Sequence, residues 1–460
     1  MDQFQEKEEF IRSHAAEIKP ILGDEERKIV GRLEEGNELT ENSTTNQELS
    51  NILERFETHV YLYEKADVSP DAKRFILAAS EPLAYQTMMP LLERLKKDPR
   101  CSAIGFITDN VSGKRFSDGG DDDFVPIHHH DQPVLVDILR LVKEKPFDVA
   151  VACIDPPNAP QSVLLHAAKS TLGAKKLFFI AGGWAGLGAE GGAQAVKSKT
   201  REMVDGIFCN DELAKLLIRK DDPSFPEDRI YSIGTPALDS LEFDKIEEYN
   251  EHGRKEHGIP EDAYVVFYGG GIQKTFAELY GSCQDIESIT LKETAQALAH
   301  VAKEAPERKF ALILRSHPRE DPSARKAIYN LSDVDFPSNV TVVSGHRDDW
   351  ANVNEINAVA DMVVSLVGTD TLFARFRGKD GVFLAYEGKG LGADLLETVY
   401  PNGGIDAIRK TPGVILVSSP EDFAEFLKSK ITQTKSKTID RPKVSDPTGA
   451  ALDAMLKGNE

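Results

Sequence analysis

Cysteine is scarce in this sequence: four residues in 460, at positions 101, 153, 209 and 283. They are far apart and form no C-x-x-C pair, which argues against a disulfide scaffold and a structural zinc site and points to a reducing cytoplasm. No uninterrupted apolar run approaches the roughly 18–20 residues that a membrane span requires. The opening MDQFQEKEEFIRSH is acidic and lacks an apolar core, so it does not read as a secretory signal. Basic residues are in deficit, 55 Lys and Arg against 76 Asp and Glu, for a formal charge of −21 at pH 7. That balance argues against a general nucleic-acid binder and leaves room for a local basic pocket that takes a phosphorylated small molecule. Missing too are a P-loop and any G-x-G-x-x-G opening a helix after the first strand.

What is present is the texture of a globular protein, with 40% hydrophobic and 28% charged residues. The length predicts two domains plus an extension. Residues 1–68 read as a helical extension, broken by the polar patch NELTENSTTNQ, and offer a surface for contact with another protein. From residue 73, apolar strand candidates alternate with amphipathic helix candidates: RFILAAS, SAIGFIT, FDVAVACI and KKLFFIAGG, then AYVVFYGGG, KFALILRSHP, DMVVSLVG and DGVFLAYEG. Continuous apolar strands alternating with helices predict parallel sheets covered on both faces. We expect two doubly wound α/β domains over 69–238 and 239–435, then a tail over 436–460 with a helix starting at Asp446-Pro447. Such folds bind ligands beyond the carboxyl ends of their strands, so a cleft between the two domains is the expected site.

The informative residues fall at predicted strand ends. In DAYVVFYGGGIQK a buried strand runs into Gly269, Gly270 and Gly271, with Lys274 following. Three glycines there fit either a phosphate resting on bare N–H groups or a tight turn with no ligand. ILRSHPRED brings Arg315 and His317 to the loop after another strand, where a capped loop with a surface histidine is the competing reading. SLVGTDTLFARFRGK ends a strand at Gly368 and opens a helix with Thr369, Asp370 and Thr371. Helix N-terminal N–H groups and two hydroxyls suit a diphosphate, while an ordinary N-cap explains the same residues. FIAGGWAGLGAEGG is glycine-rich over 182–192 and carries one acid, Glu190; it reads as a ligand cover or a flexible surface loop. HHHD at 128–131 reads as a solvated run, because three adjacent side chains diverge where metal ligands must converge. No metal site is predicted.

Taken in order, RIYSIGTPALDSL, LRSHPRED and VADMVVSLVGTDTLFARFRGK resemble the GT-B superfamily. More narrowly, they are similar to the group of non-hydrolysing UDP-N-acetylglucosamine 2-epimerases and related bacterial polysaccharide glycosyltransferases. Gly234, Thr235, Pro236 and Asp239 match the spacing of that group's V-x-G-N-P-x-x-D junction, His317-Pro318 its H-P, and Asp361 through Lys379 its strand, turn and helix. The likeness spans about residues 73–455. It implies two Rossmann-like domains of GT-B type with the helical extension ahead of them. It also implies a nucleotide-diphosphate sugar, with UDP as the nucleotide, as substrate and no bound cofactor or metal. The departures are specific. The glutamate usual early in the helix after the glycine turn is replaced by Leu372 and Phe373, and the epimerases' His-Arg-x-Glu-Asn is replaced by YGGGIQK.

The leading expectation is therefore a glycosyltransferase that moves a sugar to a cytoplasmic carbohydrate or other small acceptor. Gly270, Gly271, Thr369 and Thr371 would contact the diphosphate. Arg315 and His317 would neutralise the leaving group, and Glu190 would act as base. The alternatives are an epimerase or hydrolase on the same fold, and a non-catalytic sugar- or nucleotide-binding subunit.

Overall fold

In the computed structural model, Arg12 and residues 24–34, 58–66, 68–79, 82–109, 116, 123–126, 145–153, 174–181, 204–221, 223–234, 236–241, 243–271, 273–317, 320, 322–344, 353–388, 390–400, 404–432 and 446–457 are described. Short apolar strands bounded by polar turns build two sheets. The first contains β1 (Thr58–Glu64), β2 (Lys73–Ala79), β3 (Cys101–Asp109), β4 (Val125–Pro126), β5 (Val149–Cys153), β6 (Lys176–Ile180), β7 (Gly206–Phe208) and β8 (Ile230–Tyr231). Their order is β4-β1-β3-β2-β5-β6-β7-β8, parallel from β3 to β8. Every residue of β5 is buried, as expected of a parallel strand covered on both faces.

The second sheet contains β9 (Tyr264–Gly269), β10 (Phe310–Arg315), β11 (Val340–Ser344), β12 (Met362–Ser365), β13 (Asp380–Leu384) and β14 (Val414–Val417). It is wholly parallel, in the order β11-β10-β9-β12-β13-β14. Chain order reverses between β9 and β12. That makes their carboxyl ends the topological switch point, where open α/β sheets bind ligands.

The helices described are α1 (Asp24–Glu34), α2 (Pro82–Lys97), α3 (Glu212–Asp221), α4 (Ile246–Glu256), α5 (Gln273–Tyr280), α6 (Ile286–Glu304) and α7 (Pro322–Ile328). They continue with α8 (Val353–Val359), α9 (Thr369–Ala374), α10 (Gly392–Val399), α11 (Gly404–Arg409), α12 (Pro420–Thr432) and α13 (Pro447–Leu456). Among the described residues, no helix is long and apolar enough to cross a membrane.

The structure departs from the sequence reading at the N-terminal segment. Thr58–Glu64 is not helix but β1, paired antiparallel with β3 from Thr58↔Asp109 to Glu64↔Ala103. In THVYLYE the β-branched and aromatic residues favour a pleated, half-buried surface over a helix. Further upstream α1 does form, and it buries Val30 and Leu33 in the core. This segment is thus partly built into the first domain.

Two short 3-10 turns, Pro236–Leu241 and Phe243–Lys245, carry the chain into α4 and the second domain. The tail then returns to the first. On α13, Ala451, Leu452 and Met455 share an apolar cluster with Leu91, Leu92 and Leu95 of α2. Asp446 caps α13 by accepting the Gly449 N–H, and Asp239 at the junction accepts the N–H and hydroxyl of Thr448. The domains also touch directly. Buried Arg375, just after α9, is ion-paired with Asp211 ahead of α3, and a Cβ on Gly404 of α11 would lie 3.1 Å from Leu217 of α3.

Candidate functional site

The parallel pairing of Tyr268 with Val364 brings the ends of β9 and β12 side by side. Beyond them two glycine turns meet. A Cβ on Gly368 would lie 4.0 Å from the Gly269 carbonyl, and one on Gly269 would lie 3.9 Å from Asp370 Oδ2. On the other flank β10 pairs Arg315 with Gly269. The Arg315 guanidinium reaches to 3.8 Å from Asp370 Oδ2. Gly269, Arg315, Gly368, Thr369 and Asp370, drawn from three separate strand ends, therefore occupy one patch at the switch point. His317 follows Arg315, and its carbonyl accepts the Glu320 N–H at 2.9 Å. Lys274 is exposed in the first turn of α5.

Three of the expected ligand contacts are directed elsewhere. A Cβ on Gly270 would fall 1.7 Å from Tyr329 Oη and 2.9 Å from the Arg315 carbonyl, and one on Gly271 would fall 2.0 Å from the Phe276 ring. Glycine is required at both positions by close approach of the protein's own side chains. Their N–H groups are also occupied: Gly270 donates to the Arg315 carbonyl at 2.8 Å and Gly271 to Glu287 Oε1 at 3.2 Å. The expectation of bare N–H donors there is corrected by this packing. Thr371 is fully buried, with its hydroxyl 2.6 Å from Ser365 Oγ, so that hydroxyl faces the protein interior and not a ligand.

Ser365 organises this turn. Its Oγ accepts the Gly368 N–H at 2.8 Å while pairing with Thr371. The N–H groups of Thr369 and Asp370 lie in the first turn of α9, where helix geometry supplies no internal partner. Both residues are half-exposed. Arg375–Arg377 extends α9 as a 3-10 turn, closed by Gly378 at φ 72°.

Beneath the Gly269–Gly271 loop are two buried acids. Glu287, at the start of α6, is 0% exposed and Glu320 is 4% exposed. Glu287 holds the Gly271 N–H, and Glu320 Oε2 accepts the Gln273 N–H at 3.0 Å. Gln273 Oε1 in turn accepts the Ser288 N–H and hydroxyl, both at 3.2 Å. Burial pushes the Glu287 carboxyl up to about 7, against the pull of the Tyr268 hydroxyl and the Gly271 N–H and with help from the nearby Glu320 charge. The sequence reading missed Glu287, Glu320 and Ser365. A signal for Glu287 was available: its helix turn is otherwise lined by Ile286, Thr290 and Leu291, all buried, and a carboxylate on an apolar helix face needs an explanation.

Glu190, the glycine-rich 182–192 stretch, the 128–131 histidines, Thr235 and Pro318 lie outside the described residues. Among the described residues, no group of three or more His, Cys, Asp or Glu is placed to hold a metal ion.

No protein-family model matches this sequence, and no curated protein does. Solved structures do match its fold. The UDP-GlcNAc 2-epimerase of Neisseria meningitidis, bound to UDP-GlcNAc, superposes with a TM-score of 0.56 at 15% identity, covering 84% of this chain and 100% of that one. The UDP-GlcNAc 2-epimerase of Methanocaldococcus jannaschii gives 0.53 at 12% identity, with 84% and 100% covered. A glycosyltransferase of Rickettsia africae gives 0.50 at 11% identity, with 84% and 94% covered. The fold is the paired Rossmann-like, GT-B-type architecture common to these epimerases and glycosyltransferases. At such identities the likeness is one of fold.

Proposed function

We propose that this protein is a GT-B glycosyltransferase that moves a sugar from a nucleotide-diphosphate donor, a UDP-sugar, to an acceptor in the cytoplasm. One observation carries this: Gly269, Arg315, Gly368, Thr369 and Asp370 converge at the switch point of a parallel sheet. The fold is one that, in the Neisseria enzyme, holds UDP-GlcNAc. The diphosphate would rest against the N–H groups of Thr369 and Asp370 and the Thr369 hydroxyl. Arg315 would turn from Asp370 to the phosphates and, with His317, stabilise the charge that develops on the departing diphosphate. Glu190 would take the acceptor proton from the glycine-rich loop, and Lys274 would add positive charge.

Transfer is favoured over epimerisation by what replaces the epimerases' histidine-arginine motif. At that strand end this chain has a glycine loop tucked under Tyr329. Epimerisation or hydrolysis of the nucleotide sugar is the second reading, supported by the epimerase neighbours. The test is incubation of the full chain with UDP-N-acetylhexosamine, with and without glycan acceptors. UDP release that depends on acceptor supports transfer. Release without acceptor, or a new hexosamine epimer, overturns it. Arg315→Ala should weaken UDP binding by about 10- to 100-fold, the weight of a charge-assisted phosphate contact, measured by calorimetry.

A further inference from the structure

The loop at the switch point is held by a buried acid. Glu287 is fully buried, and its Oε1 accepts the Gly271 N–H at 3.2 Å. The Tyr268 hydroxyl faces this carboxyl and favours its ionised form, against burial and the Glu320 charge. When ionised, Glu287 sets a carboxylate against the loop whose first residue, Gly269, borders the Asp370 patch. The titratable groups around it are Tyr268 on β9, Glu320 after β10 and Tyr329 at the end of α7. None of these is a cation that would hold Glu287 ionised.

We propose that Glu287 is a positioning residue for the site, fixing Gly271 from within the protein and coupling uptake of one proton to the binding of an anionic diphosphate at the neighbouring switch-point patch. Burial, reinforced by Glu320, places the carboxyl at about 7, so both forms are populated near neutrality. An anion bound at that patch repels the ionised form through poorly screened protein and favours the protonated one. By reciprocity, protonation favours the anion. The binding half of this inference rests on the functional reading above; the loop-fixing half stands without it.

The test compares wild type with Glu287→Gln, whose amide keeps an acceptor for Gly271 and an N–H for Tyr268. UDP affinity is measured by calorimetry at about pH 6 and about pH 8, in buffers of differing ionisation enthalpy to count protons. The variant should bind like wild type at about pH 6 and on the order of tenfold more tightly at about pH 8, the size of one buried-charge coupling. Wild-type proton uptake should vanish in the variant. A ratio of affinities that is the same at both pH values overturns the proposal. If UDP does not bind at all, the functional reading fails, and hydrogen exchange of residues 264–280 in the ligand-free chain decides the loop-fixing half. Variant and wild type should then show equal protection at about pH 6 and unequal protection at about pH 8. A constant ratio rejects it. Should Glu287→Gln not fold, Glu320→Gln must shift the wild-type inflection to lower pH, because it removes the neighbouring charge. No shift overturns the coupling.

Discussion

Small side chains decide the shape of the site. Ser365 Oγ takes the Gly368 N–H and pairs with Thr371 in a space closed to water. Ser365→Ala should therefore cost about 1–3 kcal/mol, the penalty for stranding buried polar groups, measured by urea unfolding. Gly270→Ala should be at least as disruptive, since its Cβ meets Tyr329 Oη at 1.7 Å and a backbone carbonyl at 2.9 Å. Adding Tyr329→Phe should relieve the first clash and not the second, so the double variant should recover only part of the loss. Glu287 makes the sign of a pH effect explicit. Its folded value of about 7 lies above the ordinary 4.5, so the folded state holds the proton more tightly than the unfolded chain does. The stability this confers is fully present below about 4.5 and is lost as pH rises through about 7, to a total of about 3 kcal/mol. Unfolding midpoints of wild type should fall over that window, and those of Glu287→Gln should fall less.

Among the elements, α4 and α8 are joined by an exposed histidine and a buried acid. His252 contacts Glu355, which is 3% exposed, and that carboxylate raises the imidazole above its ordinary 6.5. The pair's contribution is complete below that ordinary value and disappears as pH climbs through the raised one. His252→Gln should lower the melting temperature at about pH 6 and have a smaller effect at about pH 9, read by calorimetric scans. Elements also set how far the sequence could be read. β5, β9 and β10 are continuous apolar runs and were recognisable as buried parallel strands. β1 was not, because LSNILERFETHVYLYEKA begins with helix formers, while THVYLYE within it pleats against β3. Gly269–Gly271 was legible as a place of close approach. What approaches Gly270 and Gly271 was not, since Tyr329 and Phe276 reach the loop from separate helical segments.

The whole molecule is tied together at points remote from the site. Arg375 is 5% exposed, and burial lowers it to about 10. Its partner Asp211 belongs to the other domain. Asp211→Asn should leave that guanidinium buried without its counter-charge and cost about 3–5 kcal/mol, with thermal unfolding as the measure. The tail is a second tie. Arg94 bonds Asp446 at 3.1 Å and Arg100 bonds Asp453 at 2.9 Å, above the apolar contact of α13 with α2. Truncation before Asp446 should uncover that apolar face of the first domain, lower its melting temperature and increase binding of a hydrophobic dye.

Apolar periodicity and glycine placement were enough to determine two parallel α/β domains and to mark Gly269, Arg315 and Gly368 as strand-end residues, because strand burial and backbone sterics act over a few neighbouring positions. Only the tertiary structure decided that the N–H groups of Gly270, Gly271 and Gly368 are taken up by Arg315, Glu287 and Ser365. Ser365 is a local partner, but Glu287 and Arg315 come from other elements, α6 and β10, and a hydrogen-bonding group is committed only when folding brings its partner within about 3 Å.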